Sequence, residues 1–191
     1  MKICFATHNQ DKIREVKSLL QPIEIIGLDE LGQYDEIPET GRTLDENAFL
    51  KSSFVSSKFK INCFADDTGL EVDSLNGEPG VYSARYAGDQ KENQTNIDLL
   101  LQKLQEKSDR SARFRTVISL IINDHIESFE GIVNGKISQS RSGNEGFGYD
   151  SVFTPDGYDL TFAQMSFEEK NAISHRGRAI KKLVDYLSSI G

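Results

Sequence analysis

Two adjacent aspartates, Asp66 and Asp67, follow the apolar run 61–65 in the segment "INCFADDTG". We expect that run to form a buried strand, at whose end repulsion and desolvation raise the free energy of two ionised carboxylates. A divalent cation offsets this effect, and magnesium sites commonly take one or two carboxylates besides phosphate oxygens and water. Because successive strand residues face opposite ways, one aspartate can bind metal while the other caps a turn. The alternative is an Asp-rich turn that binds no metal.

The segment "ATHNQDKIREV" is a candidate phosphate-binding loop, because residues 7–9 fall between a predicted strand and a predicted helix. The first N–H groups of a helix have no partner within the helix and, together with the helix dipole, attract anions. Lys12 lies in the first helical turn, from which its ammonium can reach a phosphate. The segment lacks the glycines of a Walker-type loop. The alternative is an Asn or Thr helix cap followed by a surface lysine.

The segment "GNEGFGYDSVF" could contact a base. Its glycines at positions 143, 146 and 148 allow backbone to approach a ligand closely, and Phe147 offers a flat face for stacking. Tyr149 can instead pack inward, and the whole segment can be a hairpin-like loop with one core aromatic residue.

The segment "EEKNAISHRGRA" could supply hydrogen-bond donors to the same ligand. Lys170, His175 and Arg176 are placed by the pattern at the start of a helix and one to two turns into it. The alternative is a basic helix surface with a single histidine. Each of these four segments is a weak signal when it is considered alone.

Hydrophobic content, net charge and cysteine positions limit the kinds of protein that this chain can be. The chain has 191 residues, 37% of them hydrophobic, which suffices for a core without disulfides. A net charge of −8 argues against a nucleic-acid polymer as partner, and we interpret the short cluster "RSARFR" as a solvated strand entry. Cys4 and Cys63 lie in apolar runs and are predicted to be buried free thiols in a reducing compartment, the cytoplasm. No run approaches the roughly 18 apolar residues of a membrane span.

The elements that must position these residues alternate between strands and helices. Strands are predicted at 2–6, 61–65, 69–77 and 151–154, and as a hairpin at 112–123 and 125–135. Helices are predicted around the stripe Ile13, Val16, Leu19 and Leu20, from a Thr43–Glu46 capping box to about 59, over 92–106, and from a second capping box at Ser166 and Glu169 onward. This order predicts an α/β fold with a mixed β-sheet and flanking helices.

Taken together and in this order, the segments resemble the inosine triphosphate pyrophosphatase family, which includes the dITP/XTP pyrophosphatases. The resemblance spans nearly the whole chain through "ATHNQDKIREV", "ETGRTLDENAFLKS", "ADDTGLEVDSLNGEPGVYSARYAG", "GFGYDSVF" and "EEKNAISHRGRA". It implies a single domain over residues 1–191, with two lobes around a central cleft, and a homodimer. It also implies Mg²⁺-dependent cleavage of ITP, dITP and XTP between the α and β phosphates, which removes deaminated purines from the nucleotide pool.

The resemblance implies roles residue by residue. Glu39 and Asp67 match metal ligands, and Asp67 also matches the proton acceptor. The remaining matches are substrate contacts: Thr7, His8, Asn9, Gln10, Asp11 and Lys12 in the triphosphate loop, Lys51 on the second helix, Thr68 where serine is common, Phe147, Gly148, Tyr149 and Asp150 in the base segment, and Lys170, His175 and Arg176. His8 occupies a variable place and receives no individual role.

Two other functions remain open at this point. One is a related enzyme that acts on modified pyrimidine triphosphates. The other is a nucleotide-binding module without turnover, against which the presence of Asp67, Glu39 and Lys12 argues.

Overall fold

The computed structural model describes residues 2–20, 23–88 and 92–190. Within these residues seven strands form one sheet: β1 (Lys2–Phe5), β2 (Glu24–Ile26), β3 (Cys63–Val72), β4 (Pro79–Gly80), β5 (Ser111–Ile122), β6 (His125–Ile137) and β7 (Phe153–Pro155). The strand order is β2-β1-β3-β5-β6-β7, with β4 beside β3. β1 is parallel to β2 and β3, whereas β4 is antiparallel to β3 and β7 is antiparallel to β6. The sheet is therefore mixed, which confirms the predicted α/β class.

The described residues also form five α-helices: α1 (Gln10–Leu19), α2 (Leu44–Phe59), α3 (Asn93–Lys103), α4 (Phe167–Ile173) and α5 (His175–Ile190). α1 lies where its apolar stripe predicts it, and α3 ends three residues before the predicted position 106. At the start of α2 the Thr43 hydroxyl accepts a hydrogen bond from the Glu46 N–H at 3.1 Å. The Glu46 carboxylate, however, accepts from the Arg42 N–H, so only half of the predicted capping box forms.

β3 differs from its prediction. It begins at Cys63 rather than 61, and it runs without interruption through Asp66 and Asp67 to Val72. The expectation that the strand ends at the aspartates is therefore wrong, and the two carboxylates lie in the middle of a buried strand. Because the strand continues between them, their side chains are directed to opposite faces of the sheet.

The predicted hairpin is present as β5 and β6. Asn123 and Asp124 join the two strands, and both have left-handed backbone conformations, with φ of 48° and 64°. Asn and Asp adopt this conformation more readily than other residues with a side chain, which favours a tight two-residue connection.

The predicted C-terminal helix is two helices. α4 begins after Ser166, which forms the complete capping box with Glu169, at 3.2 Å and 2.8 Å. The helix then stops at Ser174, whose φ of −66° and ψ of 158° are extended, and α5 starts at His175. His175 and Arg176 consequently open a new helix instead of lying one to two turns inside the first.

The chain divides into two compact units, each with its own core. Unit 1 comprises residues 1–67, 116–131 and 177–191, and unit 2 comprises residues 68–115 and 132–176. Among the most buried core side chains of unit 1 are Phe5, Val16, Phe64, Ile118 and Leu183. Among those of unit 2 are Leu70, Leu100, Val152, Phe153 and Phe162.

The two cysteines are free and buried, as predicted. Cys4 of β1 and Cys63 of β3 are register partners on adjacent parallel strands of unit 1. Within the described part of the chain, none of the helices combines the length and the apolar character that crossing a membrane requires.

Candidate active site

The N-terminus of α1 is capped by its own sequence. The Asn9 side-chain oxygen accepts hydrogen bonds from the N–H groups of Asp11 and Lys12 at 3.0 Å and 3.1 Å, and the Asn9 N–H donates to the Thr7 hydroxyl at 3.1 Å. The cap that sequence offered as the alternative to an anion site is therefore present. A capping side chain and an adjacent phosphate are compatible, since a helix N-terminus carries four N–H groups without intrahelical partners.

Lys12 is not the surface lysine of that alternative. Its ammonium donates to the Asp66 carboxylate at 2.8 Å, and the two side chains are 14% and 1% exposed. α1 of unit 1 thus places a cation beside one of the two aspartates of β3. This pairing explains why Asp66 remains inside a buried strand.

The other residues of the loop are more exposed. His8 contacts the Asp29 carboxylate at 3.0 Å and lies 3.4 Å from the Asp35 carbonyl oxygen. The Gln10 side chain approaches the His8 carbonyl oxygen at 3.5 Å, and Asp11 pairs with Arg14 at 3.4 Å. His8 thus contacts residues 21 and 27 positions further along the chain, whereas Gln10 and Asp11 contact residues close in sequence.

Asp67 belongs to a second buried group, which α2 and the loop before it build. The Lys51 ammonium donates to Glu39 Oε1 at 2.6 Å and to Asp67 Oδ1 at 3.3 Å. The Asn47 amide donates to the other oxygen of Asp67, Oδ2, at 3.2 Å. Asp66 and Asp67 therefore have different lysine partners, as expected for neighbouring strand residues.

The pKa values of this group follow from its burial and its charges. Burial raises the pKa of Asp67 above its ordinary value; Lys51 and Lys12 act in the opposite direction, while Glu39 and Asp66 add to the rise. Burial alone would lower the pKa of Lys51, but Asp67, Glu39 and Asp66 outweigh it and raise that pKa. Lys51 is consequently a cation at neutral pH, and Asp67 is a stronger base than an exposed aspartate.

The donor set of this group suits a divalent cation. Glu39 and Asp67 already direct one oxygen each to a single cationic atom, Lys51 Nζ. No cluster of three or more His, Cys, Asp or Glu side chains that could hold a metal occurs within residues 2–20, 23–88 and 92–190. Two carboxylates are nevertheless enough for Mg²⁺ when phosphate oxygens and water complete the coordination.

Unit 2 contains a second group of predicted site residues. The Asp150 Oδ2 atom accepts hydrogen bonds from the Lys170 ammonium and the Phe147 N–H, both at 2.8 Å. Two cations lie over the Phe147 ring: Lys170 Nζ is 4.9 Å and Arg176 Cζ is 5.6 Å from the ring centroid. Arg176 Nη2 also approaches the Thr68 hydroxyl at 3.3 Å. An aromatic face with buried cations beside it can bind a planar, electron-rich ring.

The backbone around Phe147 requires glycine. Gly146 and Gly148 have φ of 73° and 60°, in the left-handed region that residues with a Cβ rarely occupy. A Cβ on Gly146 would also collide with the Asp150 carboxylate. The flanking glycines therefore allow Asp150 to hold the Phe147 N–H.

Two further predicted substrate contacts, Tyr149 and His175, are buried among core residues. Tyr149 packs inward, and its hydroxyl donates to the Ser83 carbonyl oxygen at 2.8 Å. Burial raises the Tyr149 pKa, so the group stays neutral. His175 is buried as well, and its ring stacks on Phe114 with centroids 4.5 Å apart.

A cavity of about 360 Å³ lies beside the same loop in unit 2. Its lining includes Asn93, Gln94 and Ile97 of α3, Arg141 and residues 143–148. Lys170 and Arg176 are not among the described residues that line it. The cavity therefore shares Phe147 and Asp150 with the buried group around Phe147.

Asn47 is a residue of this site that the sequence motifs did not reveal. It lies four residues before Lys51 on α2, a spacing that puts two side chains on one helical face. A fully buried asparagine inside a helix is unusual, because its amide must find partners away from water. The spacing from Lys51 was the signal that could have identified it.

The chain is similar to known proteins over nearly its whole length. The sequence model of the Ham1 family matches residues 3–186. A relative named dITP/XTP pyrophosphatase from Flavobacterium psychrophilum is 50% identical over 190 residues, which cover 99% of this chain and 100% of the relative. A relative of the same name from Bacillus subtilis is 44% identical, with 96% of each chain covered.

Solved structures show the same similarity. The Staphylococcus aureus Ham1 protein is 43% identical, covers 100% of both chains and superposes with a TM-score of 0.91. A nucleoside-triphosphatase / dITP/XTP pyrophosphatase from Mycobacterium abscessus is 38% identical, with a TM-score of 0.78 and coverage of 96% of this chain and 99% of that chain. With a family match over nearly its full length and relatives at these identities, the chain belongs to the Ham1 family.

Proposed function

We propose that this chain hydrolyses the triphosphates of deaminated purines, ITP, dITP and XTP, to the monophosphate and pyrophosphate. The observation that carries the proposal is the similarity over 99% of the chain to a relative named dITP/XTP pyrophosphatase. The buried charged group around Asp67 supports it, since cleavage of a polyphosphate needs both cations and a base.

The charged residues around Lys12 and Asp67 would act on the phosphates. Lys12 and Lys51 are buried cations that can hold phosphate oxygens. Glu39 and Asp67 would hold Mg²⁺, which supplies positive charge to the phosphates and lowers the pKa of water. Asp67 would accept the proton of the attacking water as the oxygen bonds to the α phosphorus. The bond to the bridging oxygen then breaks, and pyrophosphate leaves.

The residues around Phe147 would recognise the base. Phe147 would stack on the purine, and a donor from His175 or Arg176 would meet the oxygen at purine position 6. Adenine carries an amino group there, which would leave two donors facing each other. Such a mismatch between buried polar groups discriminates strongly between substrates.

A panel of triphosphates tests this proposal. The protein is incubated with Mg²⁺ and ITP, dITP, XTP, ATP, GTP or modified pyrimidine triphosphates, and pyrophosphate is measured. We expect pyrophosphate from the first three at a rate well above the others. Release of orthophosphate alone, a preference for pyrimidines, or binding of ITP without turnover would each contradict the proposal.

We further propose that the chain is a single domain with two lobes and acts as a homodimer in the cytoplasm. The resemblance supports the two-lobed single domain and the homodimer. Two free buried thiols are typical of a reducing compartment such as the cytoplasm. Light scattering coupled to size-exclusion chromatography would give the mass of the assembly. A monomeric mass would contradict the dimer.

A further inference from the structure

We propose that Asn47 is a positioning residue that fixes the Asp67 carboxylate relative to the loop that carries Glu39. The inference deepens the proposed function and rests on it, because it assigns Asn47 to the metal-binding and proton-accepting group of that reaction. Asn47 itself would contact neither substrate nor metal.

The two hydrogen bonds of Asn47 fix the orientation of its amide. The side-chain oxygen accepts from the Gly41 N–H at 2.8 Å, and the side-chain nitrogen donates to Asp67 Oδ2 at 3.2 Å. A backbone N–H can only donate and an ionised carboxylate can only accept. In a flipped amide, the side-chain nitrogen would face the Gly41 N–H and the side-chain oxygen would face the Asp67 carboxylate. These two partners therefore permit one orientation of the amide.

Asn47 and Lys51 together determine how the Asp67 carboxylate is turned. They lie on one face of α2, and they donate to different oxygens of the same carboxylate, Oδ2 and Oδ1. Two donors on the two oxygens restrict rotation of the carboxylate about its bond to Cβ. One helix thereby holds the side chain that we propose as base and metal ligand.

The same amide also holds the loop. Gly41 follows Glu39 by two residues, and a Cβ at position 41 would lie only 2.6 Å from Asn47 Oδ1 and 2.7 Å from the Glu46 Cβ. Glycine is therefore needed for this close approach. Because Glu39 pairs with Lys51 at 2.6 Å, α2 fixes the loop at two points, through Asn47 and through Lys51.

Helix capping does not account for Asn47. The N-cap of α2 is Thr43, and Glu46 satisfies the Arg42 N–H. Asn47 is the fourth residue of α2 and is fully buried, and asparagine is a poor helix former once the N-cap has been passed. Both of its hydrogen bonds are directed toward Asp67 and the Glu39 loop.

The test compares Asn47→Ala and Asn47→Leu with Ser52→Ala. Leu has the same branching of heavy atoms as Asn, a larger volume and a higher helix propensity, so this variant removes both hydrogen bonds without leaving the cavity that Ala would leave. Ser52 is a matched control, since it is another buried polar residue of α2, and its hydroxyl bonds to Ser119 at 3.0 Å. Two quantities are measured for each: the affinity of the substrate-free protein for Mn²⁺ alone, by electron paramagnetic resonance, and kcat and KM for ITP with Mg²⁺.

Both Asn47 variants are expected to bind Mn²⁺ about tenfold or more weakly and to lose kcat by a similar factor, as residues that orient metal ligands commonly do. KM should change little, and Ser52→Ala should match the wild type in both quantities. Mn²⁺ affinity and kcat within twofold of wild type in either Asn47 variant would overturn the proposal, as would loss of cooperative thermal unfolding in both. If the wild type does not cleave ITP but its Mn²⁺ affinity depends on Asn47, the proposed function fails and the positioning role stands.

Discussion

Replacement of Lys51 by methionine should destabilise the fold as well as abolish activity. Lys51 is 10% exposed and pairs with Glu39 and Asp67, whose side chains are 27% and 11% exposed. Removing one partner of a buried ion pair leaves an uncompensated charge and typically destabilises by about 3–5 kcal/mol. Because Glu39 is partly exposed, we expect the lower end, about 3 kcal/mol, which corresponds to a decrease in Tm of roughly 6–12 °C for a chain of this size.

The assay is chemical and thermal unfolding of Lys51→Met and of Lys103→Met as a matched control. Lys103 pairs with Glu78 at 2.6 Å, but these side chains are 39% and 54% exposed, so this pair should contribute about 1 kcal/mol or less. A decrease in the free energy of unfolding below 1 kcal/mol for Lys51→Met would refute the reasoning.

The difference in free energy of unfolding between the wild type and Lys51→Met should also depend on pH. As the pH falls, Asp67 takes up a proton, and a charge that Lys51 compensates disappears. The destabilisation should therefore shrink on the acid side. Since burial raises the Asp67 pKa, the decrease should begin at a higher pH than an ordinary aspartate would give. A difference that is constant from pH 7 to pH 4 would contradict this account.

Three further predictions concern other residues of the site. Asp67→Asn should lower kcat for ITP by about 100-fold or more while leaving its Kd within a few-fold, measured by kinetics and calorimetry; because the raised Asp67 pKa means that ionisation opposes folding, wild type should also lose stability relative to this variant as the pH rises from 4 to 7. Phe147→Ala should raise the Kd for ITP about tenfold through loss of stacking, whereas Phe147→Tyr should keep it near wild type; equal values for the two variants would argue against stacking. Gly146→Ala should destabilise more than Gly157→Ala in thermal unfolding, because both glycines have positive φ but only the first Cβ would meet Asp150; equal losses would rule out the collision.

Local sequence patterns predict the helix starts well, because caps and apolar stripes act over four residues. Thr43 and Ser166 begin their helices as expected, and Val16 and Ile180 are buried where periodicity places them. The break at Ser174 could not be predicted, since "NAISHRGRA" contains neither proline nor an extended run of turn residues at that point. The apolar period simply continues from one helix into the next.

The continuation of β3 through Asp66 and Asp67 depends on partners that are distant in sequence. Lys12 is 54 residues from Asp66, and Lys51 is 16 residues from Asp67. Without these lysine partners, two adjacent carboxylates would be costly inside a buried strand, so the sequence alone favours a strand that ends before them. The spacing from Lys51 points to Asn47 and inward packing of Tyr149 is one of the expected alternatives, whereas the partner of the Tyr149 hydroxyl, the Ser83 carbonyl oxygen, depends on the tertiary packing.

The two buried thiols can report when unit 1 opens. The sequence has two cysteines, and both belong to unit 1, where each is fully buried. A thiol-reactive dye added to the native enzyme can react only when β1 and β3 become accessible, so its rate measures the opening of that unit. Unit 2 contributes no signal, and a comparison with global unfolding would reveal whether unit 1 opens independently of unit 2.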